Sequence, residues 1–91
     1  LIPDLIQLYD EGYLALYAGS GYVDRIMEDI KSEKYFTYDY YFRCKECDEI
    51  YYLGICIRGT PIFRKVKEPS EIKFDPKRLG YGEYFNPNWK D

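Results

Sequence analysis

Between residues 35 and 43 the chain alternates in a way that only a strand uses. Phe36, Tyr38, Tyr40 and Phe42 share one parity, while Thr37, Asp39 and Arg43 fall with Tyr35 and Tyr41 on the other. Successive side chains of a strand point to opposite faces, so this pattern predicts one dry face and one wetter face. The run 50–57 is apolar on both parities: Tyr51, Leu53, Ile55 and Ile57 on one, Ile50, Tyr52, Gly54 and Cys56 on the other. A strand apolar on both sides belongs in the middle of a sheet, and wide or branched side chains suit it. Residues 35–66 therefore predict three consecutive antiparallel strands. Arg58-Gly59-Thr60-Pro61 predicts a two-residue type II′ turn with Gly59 at positive φ. That turn would set Ile57 opposite Ile62, Ile55 opposite Arg64, Leu53 opposite Val66 and Cys56 opposite Phe63. Pro61 lacks an amide hydrogen, which places the third strand at an edge.

Upstream the period changes. Residues 3–18 read as helical, with Leu5, Leu8, Tyr9 and Leu16, and also Ile6 and Tyr13, at steps of three and four. Pro3 and Asp4 suit a first turn. Gly12 interrupts this face, and either admits a close neighbour or ends a first short helix, with 13–18 forming another turn or two. Ser20 is a candidate N-cap for a second helix over 22–33. There Tyr22, Val23, Ile26, Met27 and Ile30 form a stripe that should pack on the sheet. Asp24, Arg25, Glu28, Asp29 and Lys31 face the other way. Asp24 and Glu28 stand four apart, a like-charge pair that works against helix stability unless Arg25 or a partner offsets it.

After Val66 the prolines Pro69, Pro76 and Pro87, with Gly80 and Gly82, forbid a long helix. Ile72 and Phe74 suit a short fourth strand. Leu79, Tyr81, Tyr84, Phe85 and Trp89 are too many large apolar groups for a disordered tail, so the tail should wrap back onto the sheet or onto a neighbouring molecule. The predicted architecture is α+β in a single domain over 1–91. Two N-terminal helices (1–34) pack on a three- to four-stranded antiparallel meander (35–66), followed by an irregular aromatic tail (67–91).

Composition sharpens this in two ways. Aromatic residues make up 20% of the 91, and twelve are Tyr. Tyr buries a ring but keeps a hydroxyl in need of a partner, which suits both thin cores and interfaces. The formal net charge is −3, and the excess is N-terminal: seven acids face three bases over residues 1–34. Such a balance disfavours a phosphate backbone as partner and favours a basic protein surface. No apolar run approaches the roughly 20 residues of a membrane span. Three cysteines cannot make a full disulfide framework, so a reducing, cytoplasmic setting is expected.

Cys44-Lys45-Glu46-Cys47 is a C-x-x-C in the turn between two strands, where a zinc knuckle would sit. It resembles half of a zinc ribbon. Four ligands are needed, the chain has no His, and Cys56 is the one further cysteine. A complete zinc site would therefore draw on Asp48 or on a second subunit; the expectation is no cofactor. With no histidine the commonest general base is missing. Ser20, Ser32 and Ser70 have no base in sight, and the chain is expected not to be an enzyme. Gly80-Tyr81-Gly82-Glu83-Tyr84-Phe85, near Lys77 and Arg78, raises base stacking, but without a basic groove nucleic acid is not the favoured partner.

The two-helix start, the Tyr-rich meander and the acidic first third resemble the small cytoplasmic immunity proteins of bacterial polymorphic or contact-dependent toxin systems. The resemblance is one of size, texture and charge across the chain, without a motif. It implies a protein-binding module that neutralises a cognate toxin, often a basic nuclease, by occluding it. In that picture Asp24, Glu28 and Asp29 steer the partner, and Tyr41 and Tyr52 with tail tyrosines supply anchoring area. The alternatives are a degenerate zinc-knuckle scaffold or nucleic-acid accessory domain, and a homodimer joined through its tail.

Overall fold

A computed structural model of the chain describes residues 1–68 and 79–89. Helix α1 (Ile2–Asp10) is followed by strand β1 (Leu14–Gly19), a 3-10 turn (Val23–Arg25), helix α2 (Ile26–Ser32), and strands β2 (Thr37–Cys44), β3 (Ile50–Cys56) and β4 (Ile62–Lys65). The strands form one antiparallel sheet in the order β1-β2-β3-β4. The α+β architecture and the meander over 35–66 stand as expected. β4 lies at an edge, as Pro61 requires.

The fourth strand comes from an unexpected place. It is β1, within the stretch read as helical. Gly12 ends α1 at φ +87°. Its N–H donates to Tyr9 O (3.1 Å), and the Tyr13 N–H donates to Leu8 O (3.0 Å). This is a Schellman stop, in which a left-handed residue turns the chain off the helix axis. Leu14-Ala15-Leu16-Tyr17-Ala18 then pairs with β2, and all but Tyr17 are buried. Both faces are covered, so no alternation marks it, and tertiary pairing overrides the helical preference of Ala and Leu. The segment holding Ile72 and Phe74 lies outside the described residues.

One face of the sheet meets the helices. Tyr38, Tyr40, Phe42, Leu53 and Ile55 from β2 and β3 join Leu14 and Leu16 of β1, Leu5 of α1, and Val23 and Ile26. The expected parity holds for Tyr38, Tyr40 and Phe42, while Phe36, one residue ahead of β2, is exposed. The helical stripe is narrower than expected. Val23 and Ile26 are buried and Ile30 half-buried, but Tyr22 and Met27 are exposed. The reason is local: Tyr22 is extended (φ −74°, ψ 143°) and the helix opens with a 3-10 turn, so α2 proper has only seven residues. Ser20 is not a cap. Its hydroxyl donates to Asp39 O (3.1 Å) and accepts from Asp39 N–H (3.0 Å), pinning the loop to β2.

Two neighbouring tyrosines on that face carry opposite expectations. The Tyr38 hydroxyl donates to Asp29 O (2.8 Å) and accepts from the Tyr35 N–H (3.2 Å), tying β2 to α2. The Tyr40 hydroxyl is buried with no hydrogen-bond partner among the described residues. Burial pushes its pKa up, and the charge of Asp29 adds to this. Tyr38→Phe should cost about 1–2 kcal/mol, whereas Tyr40→Phe should be neutral or stabilise by up to about 1 kcal/mol. Urea midpoints of the two variants check this, and equal losses would contradict it.

The tail covers the other face. Gly19 and Tyr81 exchange backbone hydrogen bonds (2.8 and 3.2 Å), and Leu16 O and Tyr17 O accept from the N–H groups of Glu83 (3.0 Å) and Tyr84 (2.9 Å). These carbonyls lie at the irregularity between Leu16 and Ala18 in the β1–β2 register, where the strand has one extra residue. The tail thus shields the outer edge of β1, where an open strand would invite foreign pairing. Beneath it Leu79 and Phe85 pack with Ala18, Tyr41, Tyr52 and Val66.

The β3–β4 register corrects the hairpin expectation. Leu53 faces Phe63, Gly54 faces Ile62 and Tyr52 faces Arg64. The chain turns through residues 57–61, with Gly59 N–H donating to Cys56 O (3.1 Å). Among the described residues only Gly12 and Gly82 are glycines at positive φ. Gly59 is therefore not the left-handed corner that a type II′ turn needs. The three-residue slip flips parity, so Val66 packs under the tail and not against Leu53.

Candidate functional site

A groove of about 670 Å³ runs between the 20–22 loop, α2, the 33–37 connection and the tail. Several elements converge to make it. The left-handed Glu33 (φ 51°) ends α2 and turns the chain toward β2. The Gly19–Tyr81 bridge sets the tail on the opposite bank. Tyr22 is carried out of the core by the extended residue before the 3-10 turn.

The banks are aromatic and open. Tyr22 is 50% exposed and Tyr35 57%, and Tyr81 is exposed too; Phe36, beside the groove, is 60% exposed. Tyr22 stacks on Trp89 (5.4 Å between centroids, 19°) and meets Tyr81 edge-on (5.0 Å). Tyr35 lies edge-on to Tyr38 (6.0 Å), with the Lys34 ammonium 5.4 Å from its ring centre. Arg25, Asp29 and Lys34 supply charge to the lining. The Ser32 hydroxyl, also in the lining, is used on Asp29 O (2.7 Å). This arrangement offers exposed rings and a few charges along an open groove.

Of the residues expected to bind a partner, Asp24 and Glu28 are exposed beside this groove and Asp29 is in it. Arg25 does offset Glu28, through an ion pair at 3.0 Å. Tyr41 and Tyr52 are corrected. Tyr41 is only 7% exposed, packed beside Tyr52 (5.1 Å) in the core beneath the tail. Tyr52 is half-buried, donates its hydroxyl to the Asp39 carboxylate (2.6 Å) and lies under Arg64 (5.5 Å). Burial first, then that hydrogen bond, raises its pKa. The two rings are on the face away from the helices and do not join the acidic residues. The rings that do are Tyr22, Tyr35 and Tyr81. Their signal in the sequence was the tyrosine excess itself, which does not say which ring is outside.

The Cys44–Cys47 turn is where it was expected. All three cysteines are free thiols. The Cys44 thiol is more acidic than usual: Cys47 donates its S–H to it, and the backbone N–H groups of Cys47 and Glu46 point at it. Cys47 is pushed the other way, chiefly because it donates that bond, although the Glu49 N–H points at its sulfur. The Asp48 carboxylate pairs with Arg43 (2.9 Å). Cys56 faces Thr37, at the end of β2 opposite Cys44. At about 3.3 Å per residue that is roughly 20 Å away. No group of three or more metal-ligating side chains occurs among the described residues.

Beside this turn Glu49 pairs with Lys65 (2.6 Å) and accepts from the Tyr51 hydroxyl (3.2 Å). The lysine first, then the tyrosine, holds its carboxyl below the usual glutamate range. A lowered carboxyl contributes stability above its unfolded pKa and loses it as pH falls through the folded value. Carboxyl-carbon NMR should give Glu49 a lower midpoint than an ordinary glutamate, and Lys65→Met should raise it. An unmoved midpoint would contradict the pair.

Comparison of the chain with family models, curated proteins and solved structures returns no match. Among the described residues no helix is long and apolar enough to cross a membrane.

Proposed function

We propose that this protein is a binding module that neutralises a cognate protein by occlusion, in the manner of a cytoplasmic immunity protein. One observation carries the reading: exposed tyrosines stand on both banks of a groove, beside the acidic side chains of the 24–29 segment. Tyr supplies large, stiff, amphipathic contact area at small entropic cost and is enriched where interfaces draw their energy. Asp24, Glu28 and Asp29 favour a basic partner, such as a basic toxin domain, and speed its encounter. Nanomolar affinity needs about −12 kcal/mol, which a standard interface of roughly 800 Å² per partner supplies. No chemistry is required of the chain itself.

The test is co-expression with the product of the adjacent reading frame. Growth arrest by that product alone, relieved by this chain and not by its Tyr22→Ala/Tyr35→Ala variant, is the expected outcome. A neighbour that is harmless, or a double variant that protects as well as the parent, would overturn the reading.

A further inference from the structure

We propose that the Cys44–Cys47 turn is half of a tetrathiolate site for a divalent cation of the zinc class, completed by the same pair from a second copy of this chain. This goes beyond the groove and does not depend on it.

The turn is built as a chelate. The backbone N–H groups of Glu46 and Cys47 aim at the Cys44 sulfur, and the Glu49 N–H aims at the Cys47 sulfur. A thiolate bound to a metal keeps much of its negative charge, and donors fixed around it are what hold it in place. A zinc-class ion with bonds of about 2.3 Å sets two tetrahedral ligands about 3.8 Å apart, a span that two cysteines of one tight turn reach. The backbone beneath is fixed. Cys44 N–H donates to Glu49 O (2.9 Å), Asp48 N–H to Cys44 O (2.8 Å), and Lys45 N–H to Tyr13 O (3.0 Å). Asp48 takes the left-handed conformation (φ 60°) that lets the chain double back past the second cysteine.

Among the described residues nothing completes the site within one chain. It has three cysteines and no histidine. Cys56 is at the far end of β2, the Asp48 carboxylate is on Arg43, and Glu49 is on Lys65 and Tyr51. A second copy supplies two more sulfurs with the same donors already in position, and a two-fold axis through the ion closes the assembly. The turn permits the approach: Cys47, Lys45, Glu46 and Asp48 are exposed. Binding takes one proton from each of the four thiols and leaves a dianionic centre, beside which each copy carries the positive charge of Lys45.

The experiment titrates the reduced full-length chain with Co²⁺ under anaerobic conditions, following absorbance and size-exclusion mass. The expected result is the thiolate charge-transfer and visible bands of tetrahedral cobalt, saturating at one ion per two chains, with a doubled mass. Zinc should bleach the colour and keep the doubled mass. Cys44→Ser and Cys47→Ser should each abolish both signals, while Cys56→Ser and Tyr35→Ala leave them intact. Circular dichroism of the serine variants, altered at a surface turn, should match the parent. The absence of charge-transfer bands overturns the proposal. So does saturation at one ion per chain with unchanged mass, and so does a Cys44→Ser chain that still colours.

Discussion

Replacing Gly82 with alanine is expected to lift the C-terminal tail off the sheet. Gly82 sits at φ +117°, where L side chains are strained, and a Cβ there would stand 2.5 Å from Tyr17 O and 2.9 Å from Ala18 N. Those are backbone atoms of β1 and cannot step aside as a flexible side chain would. The strain and the clash together should cost about 2–4 kcal/mol. Each kcal/mol is worth roughly 4–8 °C of Tm in a domain this size. The effect has its own reporter. The single tryptophan, Trp89, stacks on Tyr22, and its emission should shift to the red when the tail detaches. A Gly82→Ala chain with parental Tm and emission would show that the tail does not clasp β1 through this contact.

Phe42→Ala should be the most destabilising single change. Phe42 is fully buried, sits between Leu16 of β1 and Tyr51 of β3, and stacks on Tyr40 (6.5 Å, 21°). Truncating a buried phenylalanine costs about 3–5 kcal/mol, from lost burial and from the cavity left behind. A domain of this size has about 5–15 kcal/mol in all, so the variant should be marginally folded at best. Phe42→Leu, which keeps most of the volume, should lose about 1–2 kcal/mol. The midpoint of urea unfolding should move while its slope stays constant. A loss below about 1 kcal/mol for the alanine variant would deny that this face is the principal core.

The residues explain why some features could be read from the chain and others could not. Tyr38, Tyr40 and Phe42 announce a strand because their face is dry and the other parity carries Thr37, Asp39 and Arg43. β1 carries no such mark: it is covered on one side by helices and on the other by the tail, so Leu14 to Ala18 have no polar parity to show. Its partner strand and its cover both lie far along the chain. The hairpin slip is similar, since Gly59 makes left-handed turns available without requiring one. Tyr41 looked like a surface ring on the wetter parity, but Leu79 and Phe85 return from the tail to cover that face. Tyr22 looked like part of a helical stripe until the 3-10 turn left it outside. The C-x-x-C turn was legible because its chemistry is local: two thiols, three backbone donors and a left-handed Asp48 within six residues.

On the proposed reading the exposed rings of the groove anchor an interface, and the acidic side chains beside it guide a basic partner. Isothermal titration of the chain with the protein encoded beside it tests this directly. The expected result is one-to-one binding in the nanomolar range, weakened at least about 100-fold in Tyr22→Ala/Tyr35→Ala, as two anchors worth roughly 2 kcal/mol or more would require. No heat of binding, or a double variant that binds as tightly as the parent, would contradict it.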